Sequence, residues 1–558
     1  MSADRALAPD LILANAVVYT ADAARSRHEA VAVGGGRIVA VGTAAEIADL
    51  AGPGTEVLDL GGRLVMPGFI DTHMHASAAV QELADVSLAG FRSVAQCVAA
   101  VGRFASEHPE LPAIRGYGWS DTYVPRLGPA AAELDAVVPD RPVILFDDSY
   151  HSAWLNSAGL RLAGIGATTP DPDNGVIERL PDGSPAGTLR EGPSALAERA
   201  FPPYTLEQAR RGILHFQRTV AAPYGLTTVQ DANPRPGRDA ALAAFEVLQA
   251  AGELTARYCL SLWIMEDQPL DEQIAAAVEE RARHTGPLVR AAWAKLFADG
   301  VIEGHTAVLK DPYADAPDFR GDPVWAGDGL LRASAAAAKA GFKLHYHAIG
   351  DAATALSLDA IEAARAATGG AVDRPLITHL QVVDLADLPR FARLGAVAAV
   401  QPNWFLKEEL YRTRQVPYLG EERAEREYPM RSLFEHGILV AGASDYPVPP
   451  APDPLVAIQR GVLRRDPADA AEPEPLWPEE AVPVEWMLDA YTRNGAQALG
   501  LEDEVGSLEP GKVADLVVVS RDLLSIPPEE FTTAAVELTL FGGRPVYAMG
   551  PFAGMAGE

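Results

Sequence analysis

The sequence predicts an α/β protein: a (β/α)8 TIM barrel with a small composite β-sandwich domain from both termini and an insertion after the first barrel strand. Three observations predict it. From about Gly225 onward, short apolar runs alternate with segments of helical period, the pattern of repeated βα units feeding a parallel sheet. The strand-like runs LTTVQD, TARYCLSLWI, VRAAWAKLF, GFKLHYH, RPLITH, GAVAAVQP and GILVAGAS, with RLVMPGFIDTHMH ahead of them, bring the count to the eight that close a barrel. Both ends of the chain, by contrast, read as short β pieces.

At the N-terminal end, residues 11–60 alternate in short apolar stretches (LILANAVVYT, EAVAVGGGRIVAVG) broken by glycine. The C-terminal end answers with GSLEPGKVADLVVVS over residues 506–520 and with ELTLFGGRPVYAMG, a hairpin pattern. Residues 1–62 and 500–558 are therefore expected to pair into one β-domain. The barrel takes 63–75 and 204–499. The stretch 76–203 is too long for a βα connection and is expected to be an inserted subdomain covering the barrel mouth. Its run TTPDPDNGVIERLPDGSPAGTL predicts turns and hairpins.

At 558 residues the chain has room for a barrel of about 250 residues plus these modules. Hydrophobic residues make up 48% and charged residues 22%, the balance of a folded domain. A formal net charge of −30 argues against nucleic acid or an anionic membrane as partner. Cys97 and Cys259 stand far apart, so neither a disulfide framework nor a Cys-rich zinc site is expected, and a reduced, cytoplasmic setting follows. The start of the chain lacks the cationic segment, apolar core and cleavage site of a signal peptide. A homodimer is the default expectation for such enzymes.

Active sites of these barrels lie at the C-terminal ends of the strands. The first strand ends in His73-Met74-His75, and alternation points both histidines to one side, able to chelate one ion. Lys295 stands among apolar residues in AWAKLFADG, where burial as an ammonium is costly, so it either snorkels or is chemically altered. The fifth strand ends in HYHAIGD with His345 and His347 on one face, the sixth in His379, and the eighth in GASD with Asp445. Each alone has a bland reading: a satisfied core histidine, a snorkelling lysine, an Asp capping a turn. Imidazole and oxygen ligands converging from five strand ends instead make a zinc-type site.

The segments VMPGFIDTHMH, GYGW (116–119), DDSYHSAWLNS around His151, KLFADG, HAIGD and GASDYPV resemble the amidohydrolase superfamily, in particular the branch called amidohydrolase family 3, which includes N-substituted formamide deformylases. The resemblance runs over nearly the whole chain, and EVGSLEPGKVADLVVV is similar to the superfamily's composite domain. It implies that His73 and His75 bind the more buried of two ions. Lys295, carboxylated by carbon dioxide to a carbamate, would bridge them, and His347 and His379 would hold the second. Asp445 would ligate the first ion and act as general base, with two Zn(2+) the preferred pair.

The expected reaction is hydrolysis of an amide, formamide, carbamate or cyclic amide of a small molecule, by metal-activated hydroxide with Asp445 taking the proton. His151, Trp119 and Tyr117 are the expected substrate contacts. Asp231 and His345 are expected behind the ligands. Two alternatives stand beside this: a mononuclear deaminase-like hydrolase, against which Lys295 and the absence of His-x-x-Glu after the fifth strand speak, and a non-catalytic scaffold, against which the full ligand set speaks.

Overall fold

The computed structural model describes residues 9–172, 175–234, 237–449, 451–469 and 474–556. Residues 1–8, part of the stretch read above for a leader, and 173–174 in the turn-rich run lie outside the described residues.

Eight parallel strands form the central sheet in chain order: Phe69–Met74, Leu226–Asp231, Arg257–Trp263, Val289–Phe297, Lys343–Ala348, Leu376–His379, Val397–Val400 and Leu439–Gly442. Helices such as Arg238–Ala251, Leu270–Arg283, Gly329–Lys339 and Asp351–Ala367 separate them and cover the outside. Their apolar faces (Leu242, Phe245, Leu248; Ala333, Ala337; Leu358, Ile361) join the strands in one buried core. The last strand meets the first through Thr72 Oγ1, which donates to Gly442 O at 2.9 Å, and through the Asp445 amide, which donates to His73 O at 2.8 Å. These contacts close the ring at the end where the expected ligands lie.

The run RLVMPGFIDTHMH is not one strand, and this corrects the sequence reading. Leu64–Pro67 lies in the β-domain, antiparallel to Leu516–Val519 and parallel to Val17–Tyr19. Only Phe69–Met74 enters the barrel. Gly68 is the crossing point: its amide donates to Asp515 O at 3.0 Å, and a Cβ there would stand 2.3 Å from Thr227 Oγ1. Alternation and apolar content are the same on both sides of this glycine, so periodicity does not reveal the change of sheet.

The two ends of the chain form a sandwich. A four-stranded sheet (Arg37–Gly42, Ala30–Gly34, Leu11–Ala14, Glu56–Asp59) faces a six-stranded one that includes Leu516–Val519, Val536–Phe541 and Arg544–Ala548. Leu13, Val31, Val65, Val518 and Leu540 pack in its interior. Gly542 and Gly543 turn the expected hairpin with φ of 55° and 73°, a left-handed geometry that favours glycine at both places. The inserted segment builds its own six-stranded sheet, from Val86–Ser87 to Gly175–Arg179. No described helix is long and apolar enough to cross a membrane.

Candidate metal centre

Strand alternation builds the centre. Met74 is buried in the core, and His73 and His75 on either side of it point to the mouth. Asp445 leaves the eighth strand in a left-handed conformation, φ 62°, and brings Oδ1 to 3.2 Å from His73 Nε2 and 3.3 Å from His75 Nε2. Asp71 fixes this junction from behind, its Oδ1 accepting from the amides of His73 at 3.0 Å and Ser444 at 3.2 Å. His379 ends the sixth strand at φ 77°, its ring centroid 5.0 Å from that of His73 and 4.4 Å from that of His347. Lys295, 1% exposed, places Nζ 4.9 Å from the Phe297 ring centroid.

Burial sets the charge states. It holds His73, His345 and His347 well below the ordinary imidazole range and His379 down to about 3; the positive charge of Lys295 adds to each. Burial works against ionised Asp445 as well. The His73 and His75 imidazoles beside it outweigh this and keep the carboxyl well below its usual range. Neutral imidazoles beside an ionised carboxylate are the protonation states that a divalent cation requires of its ligands.

The residues fit such an ion. One ligand atom each from His73, His379 and Asp445 lies within 4.8 Å of the others. The Nδ1 atoms of His75 and His379 are buried with no hydrogen-bond partner among the described residues. His347 Nε2 donates to Gly300 O at 3.0 Å, which leaves Nδ1 as its electron-pair donor. His73, His75, Lys295, His347, His379, Asp445 and His151 all line one cleft.

The other expected residues lie elsewhere. His345 sits below the cleft, with Nε2 2.8 Å from His73 Nδ1 and Nδ1 2.8 Å from Ser261 Oγ, to which Gln230 donates at 2.6 Å. It orients His73. Asp231 accepts from the amides of Ser77 at 2.8 Å and Asn233 at 3.3 Å, pinning the turn after the histidine pair. Trp119 does not reach the pocket: it is fully buried in the core of the inserted subdomain, and its indole donates to Leu145 O at 2.9 Å. Tyr117 does not line the cleft either. Its ring stacks 6.5 Å from that of Tyr150, which, with Phe146, supplies the aromatic wall instead.

Three residues escaped the sequence reading. Glu191 receives His151 Nδ1 at 2.9 Å and the Thr306 hydroxyl at 2.6 Å. Asp299, in KLFADG, accepts from the amides of Val308, Ile349 and Gly350 at 2.9 Å each and so shapes the turn after His347. Trp404 stacks 5.7 Å from the His379 ring. The KLFADG motif was a signal for Asp299, and the place of Trp404 just after the seventh strand was one for that residue; the sequence carried none for Glu191.

The amidohydrolase family model matches residues 56–547. The N-substituted formamide deformylase of Arthrobacter pascens is 31% identical over 552 residues, covering 96% of this chain and 97% of that protein. Protein LONG AFTER FAR-RED 3 of Arabidopsis thaliana is 30% identical over 96% of this chain and 91% of its own length. Among solved structures, a metal-dependent hydrolase of Pyrococcus horikoshii OT3 superposes with a TM-score of 0.72 at 25% identity, covering 93% of this chain and 99% of that one.

Proposed function

Because the chain belongs to the amidohydrolase family, we propose that it is a metal-dependent hydrolase cleaving a C–N amide-type bond of a small molecule: an amide, formamide, carbamate or cyclic amide. The observation that carries this reading is the convergence of His73 and His75 on one Asp445 oxygen, with His379 beside them. His73, His75 and Asp445 would hold one ion and His347 and His379 a second. Lys295, as a carbamate formed with carbon dioxide, would be the bridging ligand. Imidazole and carboxylate donors suit two zinc ions.

When bound, a divalent ion supplies Lewis acidity and lowers the pKa of a water toward about 7. The rest falls to the chain. Asp445 is ionised and faces the cleft, so it can accept the proton of the attacking water and return it to the departing nitrogen. Ser261 and Gln230 hold His345, and His345 holds His73, so the ligand rings are set before substrate arrives. Phe146, Tyr150 and Phe297 line the cleft with aromatic surface. The narrow space they leave beside the ligands, about 40 Å³, suits a small acyl group, in line with the formamide specificity in the name of the Arthrobacter relative.

The test is elemental analysis of wild type and Lys295→Ala, paired with a screen of N-substituted formamides and simple amides. Two ions per chain, falling to one or none in the variant with loss of hydrolysis, is the expected result. A one-ion, deaminase-like reading rests on the tighter grouping of His73, His379 and Asp445. One ion in both proteins with activity retained would select it, and no ion in either after supplementation would remove the hydrolase reading.

A further inference from the structure

Beyond the metal centre the cleft opens into a chamber of about 450 Å³ that shares His151, His347, His379 and Asp445 with it. That size takes a small-molecule ligand. On its walls stand Asp148, Glu303 and Glu408, with Glu409 next to the last. Among the described residues none of the three meets a Lys or Arg at ion-pair distance. Asp148 is hydrogen-bonded to Ser120, and Glu303 accepts from Gln415 Nε2 at 3.4 Å. Arg460, which also lines the chamber, attracts Glu408; its two terminal nitrogens donate to Asn403 O at 2.7 Å and Asp466 Oδ2 at 3.0 Å, and its Nε has no hydrogen-bond partner among the described residues. Arg92, on the same wall, is exposed.

Asp148 and Glu408 are exposed and Glu303 is half-buried, and the charge of Glu303 repels those of the other two. Such mutually repelling carboxylates are stabilised by a cation brought between them. Two further features point to a ligand. Asn403, 5% exposed, lines the same chamber, and its Nδ2 has no hydrogen-bond partner among the described residues, so it is a donor in wait of an acceptor. Trp404 also lines the chamber and offers an indole, the best aromatic face for a cation.

We infer that this chamber receives a positively charged arm of the substrate, an ammonium or guanidinium group set among Asp148, Glu303 and Glu408, with Asn403 donating to a carbonyl or hydroxyl nearer the scissile bond. The substrate class is then an N-acylated amine carrying a second, cationic nitrogen. The turnover part of this inference rests on the hydrolase reading above; the binding part does not.

Two measurements on the metal-loaded full-length enzyme separate them. The first compares kcat/KM for N-formyl-1,5-diaminopentane and for N-formylpentylamine, its neutral counterpart. A preference of about tenfold for the cationic amide is expected, since charges a few ångströms apart in a partly solvated cavity are only partly screened. That ratio should fall toward one in Glu303→Gln and in the Asp148→Asn, Glu408→Gln double variant. An equal or reversed preference in wild type, or a ratio the variants leave in place, overturns the inference. The second is calorimetric titration with 1,5-diaminopentane, which needs no turnover. Binding that weakens about tenfold in the double variant supports the chamber even where neither amide is hydrolysed, in which case the hydrolase reading alone has failed. No binding, or equal binding to wild type and variant, overturns the chamber. The double variant alters only solvent-accessible positions and so keeps the test open should Glu303→Gln fold poorly.

Discussion

The His151 imidazole and the Glu191 carboxylate meet at 2.9 Å between Nδ1 and Oε2, 40 residues apart in sequence. The pairing of Ser152–Leu155 with Pro185–Glu191 brings them together, and the Glu191 amide donates to His151 O at 2.8 Å. Glu191 adopts φ 55° and ψ −124°, a strained geometry for a residue with a side chain. The strain aims the carboxylate at His151, whose ring lies 5.3 Å from that of His347. Glu191→Gln keeps the backbone bond and removes the charge that fixes the ring. A loss of about 10- to 100-fold in kcat/KM with an unchanged circular dichroism spectrum is expected, the range for residues that orient a ligand shell. Full activity in the variant would take the pair out of the reaction.

Asp445→Asn tests the other side of the cleft. The amide hydrogen bond to His73 O belongs to the backbone and survives, so the barrel stays closed. What goes is the anion facing His73 and His75. Hydrolysis should fall by about 10²–10⁴-fold, the contribution of a positioned proton acceptor, and metal content per chain should fall with it. Retained turnover with wild-type metal content would assign the proton transfer to another group.

Much of this was legible because a strand forces alternate residues to one side. His73 and His75 flank a core methionine, and a lysine among apolar neighbours marks a strand whose mouth end is polar. The same rule fails to separate His345 from His347. Both point inward, and only depth along the barrel puts the first against Ser261 and the second in the cleft. Trp119 was misread for a related reason. In a single strand it has the pattern of a pocket wall, yet the inserted subdomain has its own sheet, and the indole fills that sheet's core. Glu191 becomes a neighbour of the centre only through long-range packing, which no local pattern records.

Gly68 supports a structural prediction. It carries the chain from the β-domain into the barrel, with the Thr227 side chain lying where a Cβ would be. The neighbour is a buried, β-branched residue on the second barrel strand and has little room to retreat. Gly68→Ala should cost about 1–3 kcal/mol, the usual range for overpacking, read as a shift in the denaturant midpoint. Gly68→Ala combined with Thr227→Ala should recover part of that loss, and the absence of recovery would place the cost in the backbone instead.

Asp85 gives a pH dependence that does not involve the proposed metal ligands. It accepts from the Tyr204 hydroxyl at 2.5 Å, and burial raises its carboxyl from the ordinary 3.8 to about 7, with the Tyr204 hydrogen bond and Arg115 opposing the rise. Between roughly pH 4 and 7 the folded chain therefore holds a proton that the unfolded chain has released. Stability falls as pH rises through this window, and above it the full cost of the buried charge remains. Asp85→Asn has no proton to lose and still accepts from Tyr204 through its amide oxygen. Melting temperatures of the two proteins should be close at pH 4.5 and separate in favour of the variant by pH 8. Parallel curves across that range would mean that the Asp85 carboxyl titrates as it does in water.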